Sequence, residues 1–216
     1  MMGRGIPFIF SYYRAGLLLA LMLGGCTLFG GGGDSPGGYT LEVVRVLEQP
    51  SPQARERILE VVPFRISPRY RSRLWLYQEA GSWHRAEEEQ AFLIPPQTLV
   101  TDQASAYFRR SGLFGAVVEG ESRLQVTYLL EGAVTALYGD FSDPTAPRAV
   151  MEIQFFLIDP RLDPPKTLLK SGFRAEAEIL AATPQALIHG WNNDLESILE
   201  NFENDLRRLF DHSSRG

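Results

Sequence analysis

The chain has 216 residues, 44% hydrophobic and 22% charged, which is enough apolar material for one domain with a real core. The formal net charge is −5, and this acidic balance argues against a nucleic-acid partner, which would need a basic face. A single cysteine excludes an internal disulfide, and no internal repeat is visible.

Residues 1–25 read as a lipoprotein signal peptide. Arg4 and Arg14 precede an apolar run, Leu17-Leu18-Leu19-Ala20-Leu21-Met22-Leu23, with no acidic residue before it. The run is far short of the roughly 18–20 apolar residues that a membrane-spanning helix needs. It ends in Leu23-Gly24-Gly25-Cys26, the pattern of a bacterial lipobox, with the cut expected between Gly25 and Cys26. A thiolate is the one side chain here nucleophilic enough to take a diacylglyceryl group readily. Cys26 would then carry fatty acyl chains, palmitate among them, and anchor the protein at about 0.8 kcal/mol per buried CH₂. Thr27, rather than aspartate, follows the cysteine, which favours the periplasmic face of the outer membrane over the inner membrane. Residues 26–38 continue as Gly-Gly-Gly-Gly-Asp-Ser-Pro-Gly-Gly after Thr27-Leu28-Phe29, a flexible tether that cannot pack.

The folded domain is expected over 39–210, with 211–216 as a disordered tail. Residues 39–47 are rich in β-formers and read as a short strand. Residues 58–66 are nearly continuous β-branched and apolar sequence, a strand buried on both faces, with Pro63 at an edge or bulge. Residues 73–78 form another strand, which turns at Gly81-Ser82 and pairs back through 83–85. Pro95-Pro96 starts a helix over about 97–111, ended by Gly112, with Val100, Ala104, Tyr107 and Phe108 facing in. Residues 113–118 resume as strand. Three long strands follow over 123–138, 148–158 and 166–180, with Gly132 marking a bulge or kink in the first. The last alternates most cleanly: Leu169, Phe173, Ala175, Ala177 and Ile179 face in, and Lys170, Arg174, Glu176 and Glu178 face out. Short proline-rich links make these three an antiparallel meander with one wet face.

Thr183-Pro184 caps a final helix. Its apolar stripe runs Leu187, Ile188, Trp191, Leu195, Ile198, Leu199, Phe202, Leu206 and Leu209, with Asn192, Asn193, Glu196, Glu200, Glu203 and Arg207 opposite. The fold class is α+β, an α/β sandwich: a mixed, largely antiparallel sheet with two helices packed on one face.

The residues point away from catalysis. His84, His189 and His212 have no ligand partner at i+3 or i+4, and no folded cysteine exists, so no metal and no cofactor is expected. No Gly-x-Ser-x-Gly elbow, Walker loop or Gly-x-Gly-x-x-Gly occurs in the folded part. The run Glu87-Glu88-Glu89 reads as a solvated loop. Two features suit contact with a partner or with anionic headgroups. Arg69, Arg71 and Arg73 alternate beside Tyr70, and solvated edge-strand charge explains them equally well. Trp75 and Trp83 lie near the hairpin with Tyr77, Phe92 and Leu93, where core packing is the leading reading and a partner-facing patch the other.

In order along the chain, the lipobox is followed by Tyr39-Thr40-Leu41, Val61-Val62-Pro63, Pro68-Arg69-Tyr70, Leu76-Tyr77, Pro95-Pro96, Leu113-Phe114 with Val117, and Thr183-Pro184 with Ala186-Leu187. This ordered set resembles the ABC-type transport auxiliary lipoproteins, the PqiC-like family, over nearly all of the chain after Cys26. The resemblance implies a fold similar to the amino-terminal domain of TolB. It also implies a non-enzymatic adaptor for an MCE-type substrate-binding protein and its ABC permease and ATPase, which move lipids across the cell envelope. Self-association into a homo-oligomer is left open. The alternatives are a lipoprotein that carries lipid between sheet and helices, and an outer-membrane assembly or peptidoglycan-synthase activator lipoprotein of similar fold.

Overall fold

The sheet is built on one strand, β6 (Tyr128–Asp140), with β7 (Arg148–Asp159) and β8 (Lys166–Glu178) following it as an antiparallel meander. This is a computed structural model, and it describes residues 38–120 and 124–213. The expected signal peptide, Gly25, Cys26 and the tether up to residue 37 lie outside the described residues. So do 121–123 and 214–216.

Along its other edge β6 meets three short strands placed end to end, all parallel to it. β1 (Ile58–Val61) lies beside Tyr128 to Leu130, β2 (Arg65–Ile66) beside Ala133 and Val134, and β3 (Leu76–Glu79) beside Tyr138 to Asp140. Beyond β1 lies β5 (Ala116–Glu119), parallel, and beyond β3 lies β4 (Ser82–Arg85), antiparallel. The result is one mixed eight-stranded sheet whose long ladders are antiparallel. Helices α1 (Pro96–Arg110) and α2 (Pro184–Ser213) pack on one face.

The single strand expected over 58–66 is in fact two. Pro63 has no N–H to give the ladder, and Phe64 N–H turns away to donate to Thr101 Oγ1 on α1 at 3.0 Å. β1 is buried on one face rather than on both. The bulge in β6 falls between Val134 and Ala136, not at Gly132. Gly132 instead makes room: a Cβ there would stand 2.5 Å from the Phe64 ring. The strand β6 also begins at Tyr128, five residues after the expected start, and Leu124 is exposed.

Residues 39–47 do not form a strand. Only Tyr39 makes an isolated parallel bridge, to Phe92. The segment runs instead as an extended strap between the two helices. Glu42 N–H donates to Asn192 Oδ1 of α2 at 3.0 Å, and Val43 N–H to Gln103 Oε1 of α1 at 2.9 Å. Its β-like alternation is real, with Leu41 buried and Val44 exposed, but at Glu42 and Val43 helix side chains rather than a neighbouring strand satisfy its backbone.

Both helices begin as their sequences dictate, and α1 also ends so. Proline occupies the first turn of α1, where a missing N–H costs nothing, and Gly112 follows its end at φ +69°, a conformation that other residues resist. Thr183 Oγ1 accepts from Ala186 N–H at 3.4 Å at the start of α2. That helix continues to Ser213, so 211–213 are helical rather than part of a tail. Its apolar stripe from Leu187 to Leu206 is buried, against the fully buried row Ala149, Met151, Ile153, Phe155 and Leu157 of β7. Phe155 stacks on Phe202 at 4.4 Å, and Phe202 meets Phe108 of α1 edge-on at 5.9 Å, so aromatic rings fill the space between sheet and helices.

Glu203, expected on the wet side of α2, is 4% exposed. It is buried because it is paired: Arg45 of the strap lies 2.8 Å from Oε1 and Arg207 lies 2.5 Å from the same atom. Arg207 also reaches Glu48 at 2.9 Å and the Ser111 carbonyl at 3.2 Å. These contacts join strap, α1 and α2 through charge as well as packing.

Candidate partner-binding surface

Among the described residues, no helix covers the second face of the sheet. Alternation places Glu131, Thr135 and Tyr138 of β6, Arg148, Glu152 and Gln154 of β7, and Lys170, Arg174, Glu176 and Glu178 of β8 on that side. Register then brings particular residues together. Tyr138 lies opposite Val150, which lies opposite Glu176; Glu152 lies opposite Arg174.

These neighbours make one connected network. Thr135 Oγ1 donates to Glu152 Oε1 at 2.7 Å, and Arg174 reaches Glu152 Oε2 at 3.4 Å. Arg174 Nε donates to Glu176 Oε1 at 2.7 Å, and Arg148 approaches Glu176 Oε2 at 3.1 Å. The hydrogen bond from Arg174, ahead of that from Arg148, holds the Glu176 carboxyl below the usual carboxylate range. Arg174 also donates to the Tyr138 hydroxyl at 3.1 Å. The Tyr138 ring is stacked by Tyr70 at 6.3 Å and met edge-on by Trp83 at 5.0 Å. Arg69 Cζ lies over the Trp83 ring, 4.3 Å from its centroid.

The turn Pro68–Tyr70 is what delivers Arg69 and Tyr70. It is a single 3-10 turn that follows β2 directly, tied down by Ser67 N–H to the Val134 carbonyl at 2.9 Å. The β3–β4 hairpin delivers Trp83 to the same spot. So of the six residues singled out in the sequence, the fold brings Arg69, Tyr70 and Trp83 together.

It sends the others elsewhere. Trp75 is core, 5% exposed and packed edge-on against Tyr39, Phe92 and Trp191. Arg73 is structural: its Nε donates to the Phe92 carbonyl at 2.8 Å, while Phe92 N–H donates to the Arg73 carbonyl at 2.9 Å. Arg71 is exposed and adjoins the cluster in sequence. Tyr138 and Arg174, which hold the network together, carried no signal of their own, because only strand register places them beside Trp83.

The chemistry available is recognition. A guanidinium stacked on an indole keeps its N–H edge free for a carboxylate or phosphate, and stacking fixes its orientation beforehand. Arginine and large aromatics are also the residues on which protein interfaces concentrate their binding energy. Neither Arg69 nor Arg71 has an acidic partner among the described residues, whereas Arg148 and Arg174 do. Among the described residues no three His, Cys, Asp or Glu side chains are grouped to hold a metal ion. His84 is stacked on Tyr77 at 5.2 Å, and His212 Nδ1 lies 2.6 Å from the Arg208 carbonyl. No helix of the described residues is long and apolar enough to cross a membrane.

No protein-family model matches the chain, and no curated protein matches its sequence. Solved structures do share the fold. The chain is similar to protein XCC0632 from Xanthomonas campestris, of the DUF330 family, with a TM-score of 0.64 and 17% identity over 83% of this chain and 100% of that one. It is also similar to the crystal structure of an uncharacterized protein, with a TM-score of 0.59 and 13% identity over 79% of this chain and 99% of the other. At these identities the likeness is one of fold, and it spans the whole length of both relatives.

Proposed function

We propose that the protein is a cell-envelope lipoprotein, anchored through acylated Cys26, that serves as the non-catalytic accessory component of an MCE-type ABC transport system for lipids. The observation that carries this reading is the open sheet face, where Arg69, Trp83, Tyr138 and Tyr70 form a cationic and aromatic surface on a body with the fold of a DUF330 protein. DUF330 is the family of the PqiC-like auxiliary lipoproteins that the sequence resembles. In this role the acyl chains hold the domain at a bilayer, the glycine-rich tether gives it reach, and the open face holds the transporter's periplasmic MCE component. Thr27 favours the outer membrane for the anchor. Support for an adaptor over a lipid carrier comes from the filled layer between sheet and helices. A cleft of about 470 Å³ elsewhere has Leu113 and Phe210 in its lining, but Glu48, Arg57, Arg207 and Asp211 put charge around them, a mixed setting ill suited to acyl chains.

The test is affinity purification from native membranes with mass spectrometry of the product. The expected result is a triacylated Cys26 at the amino terminus and co-purification of an MCE-type protein. A Cys26→Ala variant should leave the membrane fraction yet keep that partner. An unmodified thiol, a retained leader or failure to recover the partner would overturn the reading.

A further inference from the structure

Among the described residues four strands, β2, β4, β5 and β8, pair on one side only, and they are not alike: β2 has just two residues. β4 and β5 are four residues each, short enough to offer little to a foreign strand. β8 has thirteen residues and, among the described residues, pairs only with β7. It contains no proline, and its one irregularity lies near its start, opposite Leu157 and Ile158. Its inward row is also incompletely covered: Leu169, Ser171, Phe173, Ala175 and Ala177 are all half-buried, where the matching row of β7 is sealed.

The outward row carries a pattern. Its middle is basic, with Lys170 and Arg174, and its end is acidic, with Glu176 and Glu178. A stretch that is basic at one end and acidic at the other is complementary to itself when reversed. Directly opposed residues in an antiparallel pair share a face, so the two-fold axis must pass between two copies of the same residue. Centred on Phe173, the pairing sets Lys170 against Glu176 of the second copy, twice by symmetry, and Arg174 against Gly172, which has no side chain. One residue either way fails: centred on Gly172 it opposes Lys170 to Arg174, and centred on Arg174 it opposes that arginine to itself.

We infer that β8 is a self-association edge, through which two copies of this chain join antiparallel about Phe173 into one continuous sheet. The contact is isologous, as a two-fold dimer requires. It buries the half-open Leu169, Phe173, Ala175 and Ala177 row on the helix side. It also leaves the Arg69–Trp83 surface, on the far side of β6, free for a different partner. This inference stands apart from the anchor and from any transport role.

The experiment uses the full-length chain with Cys26→Ser, which removes the only native thiol, purified in detergent. Lys170→Cys and Glu176→Cys, both at solvent-facing positions, are introduced on separate chains. Mixed under oxidation they should give a disulfide-linked dimer, because opposed residues lie about 4.5–5.5 Å apart, within disulfide reach. Each alone should not, because the register separates like positions by about 20 Å. Without added cysteines, sedimentation should show a dimer, weakened about tenfold by Lys170→Glu, which opposes two like charges twice. A monomer at all concentrations, linkage within a single variant, or an unchanged Lys170→Glu dimer would overturn the proposal.

Discussion

The same three strands, β6 to β8, show two chemically different faces. Towards the helices the residues are apolar, fully buried along β7, and interlocked through Phe155, Phe202, Phe108 and Trp191. Towards solvent they are held by hydrogen bonds and ion pairs that begin at Thr135 and end at Arg69 on Trp83. Packing and desolvation drive the first face, whereas exposed ion pairs contribute little to stability however well they are ordered. The inner face therefore stabilises the molecule, and the outer face is free to be specific.

The largest effect expected from that contrast is on the inner face. Phe155 is fully buried and in ring contact with Phe202, Phe64 and Phe173. Phe155→Ala should cost about 3–5 kcal/mol, measured by chemical denaturation, because it leaves a cavity where sheet and both helices meet. A loss below about 1 kcal/mol would mean that the layer is not the stabilising one.

A second effect sharpens the contrast by pH. Asp194 on α2 is 2% exposed, with Oδ2 unpartnered. Burial, aided by the nearby Glu176 charge, pushes its carboxyl up to about 7, against a lowering hydrogen bond from the Ala177 backbone. The folded state thus keeps a proton that the unfolded chain, with its ordinary carboxyl near 4, releases. Stability from this group is fully present below about pH 4 and is lost as pH rises through 7. Asp194→Asn should therefore raise the melting temperature by about 3–6 °C at pH 8, by less at pH 5, and change it little below pH 4. A gain that did not depend on pH would show that the carboxyl is not the source.

How much of this was legible in the sequence follows from the range of the forces involved. The meander and α2 could be read from alternation and from the Leu187 to Leu206 stripe, because periodicity is a local property of the chain. The strap could not: residues 39–47 alternate as a strand does, and only the positions of Asn192 and Gln103, far away in sequence, decide that helices and not a sheet receive them. Glu203 failed in part for the same reason: Arg207 is a local partner, but Arg45, which closes over it from the strap, lies 158 residues away. At the candidate site, Arg69, Tyr70 and Trp83 stood out by composition, but Trp75 and Arg73 stood out equally and proved structural. Residue type says that a side chain can bind; register and burial say whether it is free to.

The smallest stability effect belongs to the outer face, and it decides what that face is for. Trp83 is 37% exposed and touches Arg69 and Tyr138 but none of the helix-layer rings. Trp83→Ala removes one cation–π contact and one edge-on aromatic contact, each of order 0.5–1 kcal/mol at an exposed site, so unfolding should shift by about 1 kcal/mol. Recovery of the partner protein should fall far more, because Arg69 loses the surface that orients its guanidinium. Arg69→Lys separates the two contributions: it keeps the charge but loses the planar stack, and should weaken the partner while leaving stability unchanged. If Trp83→Ala instead cost as much as Phe155→Ala, Tyr70, Trp83 and Tyr138 would be a second core, and the two faces of the sheet would differ in chemistry but not in purpose.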